Sequence, residues 1–285
     1  MTHCGASHHP ILHPVCRRET MKGRALAVFL VLVTMATVSL AQDGSGQARA
    51  FPRRAFEVGP EIYQHVYREP GHMKEDGLMY GLAASYTEHV YNWIWHAEAE
   101  FAYGRVDYDG GLYHEDGSVT PYTYDNISDW LLDTRFLLGP DFMWGDKPAS
   151  LYTGFGFRLL RDELGSSPYG YDRESRLLYV PFGLMNSLGS VNGWAISTNG
   201  EVDVVVYGAQ KNVFGEGYIP ITNYQHSGFG LRGAISFEKK LANCGMKIQP
   251  FYRYWQIAKS DKGSYGTYEP QNNTNEFGLR MLFTF

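Results

Sequence analysis

The chain has 285 residues, a formal net charge of −5 and only 19% charged residues, with a 15% aromatic content led by 21 Tyr beside 32 Gly. Such a composition points to β structure rich in ring positions and close backbone approaches, and not to a helical domain. Negative mean hydropathy excludes a helical membrane protein but not a membrane β-barrel, where apolar and polar residues alternate and average out.

Residues 1–20 are rich in His, Pro and Arg and precede Met21-Lys22-Gly23-Arg24, the apolar run Ala25 to Val38, and Ser39-Leu40-Ala41. A basic start, a short apolar stretch and small residues at its end predict a signal peptide over 21–41, cleaved after Ala41. Met21 then reads as the true start and residues 1–20 as an upstream extension outside the protein proper. At roughly 14 apolar residues the run is short of the ~20 that a transmembrane helix needs. Cleavage removes Arg17, Arg18, Lys22, Arg24 and Glu19, taking the net charge to −8, so nucleic acid is not an expected partner. It also removes Cys4 and Cys16, and Cys244 alone allows neither an internal disulfide nor a cysteine metal site. Residues 42–54 read as a flexible lead-in, and 55–285 as one β-barrel.

From Ala55 the hydropathy period is two. Phe56, Val58, Pro60 and Ile62 alternate with Glu57, Gly59, Glu61 and Tyr63; Leu151, Thr153, Phe155, Phe157 and Leu159 alternate with Tyr152, Gly154, Gly156, Arg158 and Leu160. The pattern predicts about ten strands, at 55–68, 77–90, 93–108, 128–143, 149–162, 173–188, 194–208, 225–240, 246–260 and 273–285; one misjudged hairpin would make the count eight or twelve. Tight turns at Tyr91-Asn92, Gly145 to Pro148, Gly189 to Gly193 and Leu241 to Gly245 alternate with longer polar loops near 69–76, 109–127, 163–172, 209–224 and 261–272. Short turns on one side and long loops on the other are the layout of an all-β, antiparallel, up-and-down transmembrane barrel, with the turns periplasmic. In a soluble barrel the apolar set fills the interior; here the opposite face carries charges and glycines.

Phe277, Leu279, Met281, Phe283 and Phe285 share one face of the last strand, with Gly278, Arg280 and Thr284 on the other. Leu279, Met281, Phe283 and Phe285 match the alternating, aromatic-ended signal that outer-membrane barrels present to their assembly machinery. Trp93, Trp95, Tyr108, Trp130, Trp144, Tyr179, Trp194 and Tyr254 lie near strand ends, where interfacial girdles form. The expected location is the cell outer membrane after export, with lipid, lipopolysaccharide and the assembly machinery as partners.

Inward projection places Glu57, Glu61, His65, His96, Glu98, Glu100, Asp133, Arg135, Arg158, Glu201, Asp203, Arg232, Glu238, Arg253 and Arg280 in the lumen. Acids and arginines in so narrow a bore are expected to pair and plug it. His96, Glu98 and Glu100 share a strand face, but successive same-face positions lie roughly 7 Å apart, too far for simple chelation, so neither metal nor other cofactor is expected. Loop tyrosines (Tyr108, Tyr113, Tyr122, Tyr124, Tyr169, Tyr171, Tyr218, Tyr265, Tyr268) sit among small polar residues, a contact chemistry that suits either an interfacial girdle or a surface ligand of unknown identity.

Tyr91-Asn92-Trp93 opening a strand that leads to Asp107-Tyr108-Asp109, the segment Tyr171 to Leu184, the Asn-rich Gln271 to Asn275 and the ten-strand count together resemble the omptins, the outer-membrane proteases. The resemblance implies a ten-stranded barrel with a long extracellular overhang, and a protease that holds its attacking water between an Asp pair and an Asp-His pair. Asp107 and Asp109 match the first pair by spacing. After the seventh strand, however, stands Gly208-Ala209-Gln210-Lys211-Asn212-Val213, with no Asp-x-His, so the water has no evident base. The expectation is therefore a non-enzymatic barrel of structural or surface-interaction type, with a narrow solute channel and an omptin-like protease as alternatives.

Overall fold

The computed structural model describes residues 54–114, 118–215, 219–263 and 266–285; the expected signal peptide and upstream extension, and the lead-in up to residue 53, lie outside the described residues. The strands are β1 (Arg54–Glu69), β2 (Met73–Val90), β3 (Trp93–Tyr113), β4 (Val119–Trp144), β5 (Lys147–Asp162), β6 (Asp172–Val191), β7 (Trp194–Val213), β8 (Ile221–Gln225), β9 (Gly228–Lys240), β10 (Gly245–Ile257) and β11 (Asn272–Thr284). Each is antiparallel to its neighbours, β1 pairs with both β2 and β11, and β6 pairs with β7, so the sheet closes on itself. β7 pairs with β8 through Gly208↔Gln225 and with β9 through Val204↔Phe229, in one unbroken register. β8 and β9 are thus one barrel strand interrupted at His226-Ser227, and the fold is a closed ten-stranded barrel. No helix among the described residues is long and apolar enough to cross a membrane.

Turn chemistry explains the short end. Tyr91 and Asn92 (φ 52° and 64°) and Asn192 and Gly193 (φ 51° and 78°) all take left-handed conformations, the geometry of two-residue turns whose twist matches the flanking strands. The loop end differs from expectation. β3 and β4 run on into the supposed 109–127 loop, β7 continues to Val213, and the 69–76 loop shrinks to Pro70–His72. These extensions keep their ladder hydrogen bonds but carry Gly, Tyr, Thr and Asp on both faces, so the hydropathy alternation fades where the strands need no apolar side.

Outward positions form an apolar belt: Ile62, Leu82, Phe101, Leu151, Phe155, Phe182, Leu231, Phe277 and Leu279 are exposed, together with Trp93, Trp95 and Trp144 towards the turn end. An exposed, continuous apolar face is the surface that hydrocarbon, rather than water, tolerates. The interior is mixed rather than purely polar. Tyr63, Met79, Ala102, Leu131 and Phe251 form one buried cluster; Leu177, Tyr179, Val205, Trp255 and Ile257 form another. Tyr179, expected in a girdle, lies inside because it shares the inward face of β6 with Leu177. Glycines make room for these rings: a Cβ on Gly156 would collide with the Tyr179 ring, and one on Gly183 with the Tyr152 ring.

Phe155 is 66% exposed beside Phe136, centroids 5.7 Å apart. Phe155→Arg should lower unfolding stability in phospholipid vesicles by ~2–4 kcal/mol, as cationic substitutions on a mid-barrel lipid face do. Urea titration read by the gel mobility of the folded barrel checks it.

Candidate functional site

Alternation along seven strands delivers arginines and carboxylates to the same level of the lumen, where they join into a closed ring. Arg135 binds Glu98 at 2.9 Å, Glu98 binds Arg280 at 3.1 Å, Arg280 and Arg253 both hold Glu100, and Arg253 reaches Glu276 at 2.8 Å. Glu276 binds Arg158 at 2.5 Å, Arg158 binds Asp133 at 3.4 Å, and Asp133 binds Arg232 at 2.8 Å. Arg232 then reaches Glu201 at 3.3 Å, and Glu201 returns to Arg135 at 2.5 Å. Five arginines alternate with five carboxylates, so each charge has opposite neighbours on two sides.

Further groups attach to this ring. Glu61 of β1 holds Arg280 at 2.7 Å, Asp203 holds Arg232 at 2.8 Å, and His65 contacts Glu276 at 3.1 Å. Tyr179 donates to Asp133 at 2.6 Å and accepts from Arg232 at 2.7 Å. His96 lies between Glu98 (3.2 Å) and Thr87 (2.8 Å), which brings β2 into the network. Arg232 also packs over the Tyr179 and Trp255 rings, with centroids 5.3 Å away in each case. Aromatic faces thus cover the guanidinium planes while carboxylates meet their edges, which limits what desolvating so many charges costs.

A cavity and a second charged cluster flank the ring. On the turn side is a cavity of about 840 Å³ lined by polar groups that include Glu57, Thr87, His96, Ser236, Lys247 and Gln249; Glu57 there is held by Lys247 and by Ser85. On the loop side Arg173 of β6 clamps Glu69 (3.1 Å), Glu75 (2.5 Å) and Asp162 (2.7 Å), and packs over the Tyr67 ring. Glu269, from the 258–271 connection, is buried there through two hydrogen bonds with Ser260, one backbone to backbone and one to its hydroxyl. Burial, with Glu69 nearby, pushes the Glu269 carboxyl up to about 7.

The structure places Glu57, Glu61, His65, His96, Glu98, Glu100, Asp133, Arg158, Glu201, Asp203, Arg232, Arg253 and Arg280 in the buried interior, with Arg135 nearly so; Glu238 is half-buried at the turn-side cavity. Phe277, Leu279, Met281 and Phe285 are exposed on the outer face, and Phe285 pairs backbone to backbone with Phe56. Asp107 and Asp109 point outward and are exposed. β4 carries a bulge opposite them, between the pairs Val106↔Ile127 and Tyr108↔Tyr124, with Asn126 in the left-handed region (φ 63°). The Asn126 N–H donates to the Asp107 carboxylate at 3.0 Å and its carbonyl accepts from Arg105 at 2.7 Å. Asp107 therefore caps a backbone irregularity on the wrong face for a lumen-mouth water. His226 meets Asp261 at 3.2 Å, but both side chains are largely exposed.

Sequence reasoning missed Glu276, Arg173, Glu69, Glu75, Asp129, Asp162 and Glu269. Glu276 was legible, since it shares the even-numbered face of Gly278 and Arg280. Asp129, Asp162 and Arg173 were legible too, at the ends of expected strands and in phase with Asp133, Arg158 and Leu177, whereas Glu69, Glu75 and Glu269 fall in stretches read as loops. Of the loop tyrosines, Tyr108, Tyr122 and Tyr169 form a ring cluster at 5.8–6.1 Å and Tyr171 stacks on Phe214 at 4.7 Å; Tyr218, Tyr265 and the Tyr113 side chain lie outside the described residues.

Glu276→Gln should cost about 3–5 kcal/mol, because it leaves Arg158 and Arg253 buried with one counter-charge fewer. Asp203→Asn, which removes an attachment and leaves the ring closed, should cost much less; urea unfolding in vesicles separates the two. A carboxyl whose folded pKa is raised contributes stability that is present below its ordinary 4.5 and is lost as pH climbs through about 7. In chelator-containing buffer the 258–271 connection should therefore lose hydrogen-exchange protection between pH 5 and 8, and Glu269→Gln should flatten that profile.

No family model matches the chain, and neither does any curated protein. Among solved structures it is similar to the outer-membrane protease OmpT from Escherichia coli, with a TM-score of 0.50 at 12% identity over 81% of this chain and 96% of that one. It is also similar to Ail, the attachment invasion locus protein of Yersinia pestis (0.34, 13%, 82% and 100%), and to the translocator domain of the autotransporter NalP from Neisseria meningitidis (0.37, 10%, 91% and 96%). At these identities, what the chain shares with OmpT is the fold: a closed, ten-stranded antiparallel barrel of the outer-membrane type.

Proposed function

We propose that this protein is a sealed, non-enzymatic barrel of the bacterial outer membrane, of structural or surface-interaction type, with its turns in the periplasm and its strand extensions outside. The observation that carries this reading is the closed ring of Arg135, Arg158, Arg232, Arg253 and Arg280 with their carboxylates, which pair across the middle of the bore. A conducting pore of fixed radius would need charges lining a hydrated path; here they neutralise one another across it. A protease reading finds no support at the loop-side mouth, where Asp107 faces outward and serves a bulge. What remains for function is the surface beyond the belt, where the Tyr108, Tyr122 and Tyr169 rings cluster among polar residues and offer contact area at low entropic cost. Export by the signal peptide over 21–41 and assembly through the face carrying Leu279, Met281, Phe283 and Phe285 belong to the same proposal.

Reconstituted in planar bilayers, the protein should show no conductance steps, and Arg253→Ala combined with Glu100→Ala and Glu276→Ala should introduce small leak currents. Stepwise conductance of the unmodified barrel would instead establish the channel alternative.

A further inference from the structure

The two charged regions of the lumen are unlike in one respect. In the ring every carboxylate has an arginine; on the loop side Glu69, Glu75, Asp129, Asp162 and Glu269 gather with Arg173. Asp129 of β4 stands directly across the strand pair from Asp162 of β5. It is 1% exposed, and neither of its carboxylate oxygens has a hydrogen-bond partner in the protein. Asn212 of β7 and Asn223 of β8, buried at the same end, likewise have amide oxygens without donors. These unsatisfied atoms are acceptors, and Asp129 has Arg173 as a charge neighbour but no hydrogen-bonded donor, which makes its buried carboxylate a costly group. With five buried acids around one arginine, what this end of the lumen lacks is positive charge.

We propose that the loop-side acidic cluster binds a hard divalent cation, Mg²⁺ or Ca²⁺, with Asp129 as its principal ligand and Asp162 beside it. Oxygen-only donors of carboxylate and amide type are what such ions select, and nitrogen or sulfur ligands are not offered. Among the described residues no three acidic, histidine or cysteine side chains converge as a preformed chelate. The ion therefore keeps part of its water shell and is held by one or two carboxylates, as Mg²⁺ commonly is. Bound there, it ties β4 and β5 to the acids that Arg173 gathers from β1 and β2, and so fastens the base of the loop-side extensions.

The test uses the full-length barrel refolded in lipopolysaccharide-free detergent. Titration with MgCl2 or CaCl2 should raise the thermal unfolding midpoint by several degrees in a saturable manner, and a chelator should reverse the shift. Tb³⁺ should give tyrosine-sensitised emission from the buried acidic cluster, displaced by Ca²⁺. Asp129→Asn should abolish both signals, whereas Asp109→Asn, on the outer face, should leave them intact. If Asp129→Asn does not fold, the Tb³⁺ titration and its displacement in the unmodified protein decide alone. Stability that ignores both cations and falls with rising pH equally with and without chelator would mean that protons alone neutralise the cluster, and would overturn the proposal. So would cation binding that survives Asp129→Asn.

Discussion

The alternating ring of arginines and carboxylates is the interaction on which the rest of this barrel depends. A closed sheet of ten strands leaves a bore that backbone contact cannot fill, and the apolar clusters inside fill only part of it. The rest is filled here by charges that satisfy one another. Pairing is circular, from Arg135 through Glu98, Arg280, Glu100, Arg253, Glu276, Arg158, Asp133, Arg232 and Glu201 back to Arg135, so no member is terminal. Removing one member takes a counter-charge from each of two neighbours, which makes the ring a cooperative unit rather than a sum of pairs.

Around that ring the apolar clusters have a supporting role. Tyr179 and Trp255 cover Arg232, while Tyr63 and Phe251 cover Arg253, with ring centroids 4.6–5.3 Å from the guanidinium carbons. Glycines such as Gly156 open the space these rings occupy. Along the axis the paired ring lies between a cavity on the turn side and the acid-rich cluster under the strand extensions.

The period-two alternation, the tight turns and the apolar outer face are written in adjacent residues, which is why the barrel and its approximate strand count are legible in the sequence. Strand ends were not. Beyond the belt, residues such as Gly110, Gly111, Thr120 and Thr123 pair in a ladder but present no apolar face, so β3 and β4 looked like a loop. Asp107 illustrates a different limit. Its Asp-x-Asp spacing suggested chemistry, yet its partner is the backbone of Asn126 at a bulge that no local pattern announced.

The sequence by itself determined which face of each strand turns inward, because that choice follows from parity along the chain. It placed Arg158, Glu201 and Arg280 in the lumen without saying whom they meet. Partners depend on strand stagger and barrel closure, which bring Arg158 to Glu276 from 118 residues away and Arg280 to Glu61 from 219. Only the tertiary structure could decide that these charges form a ring, and that Asp129, alike in type, is left outside it.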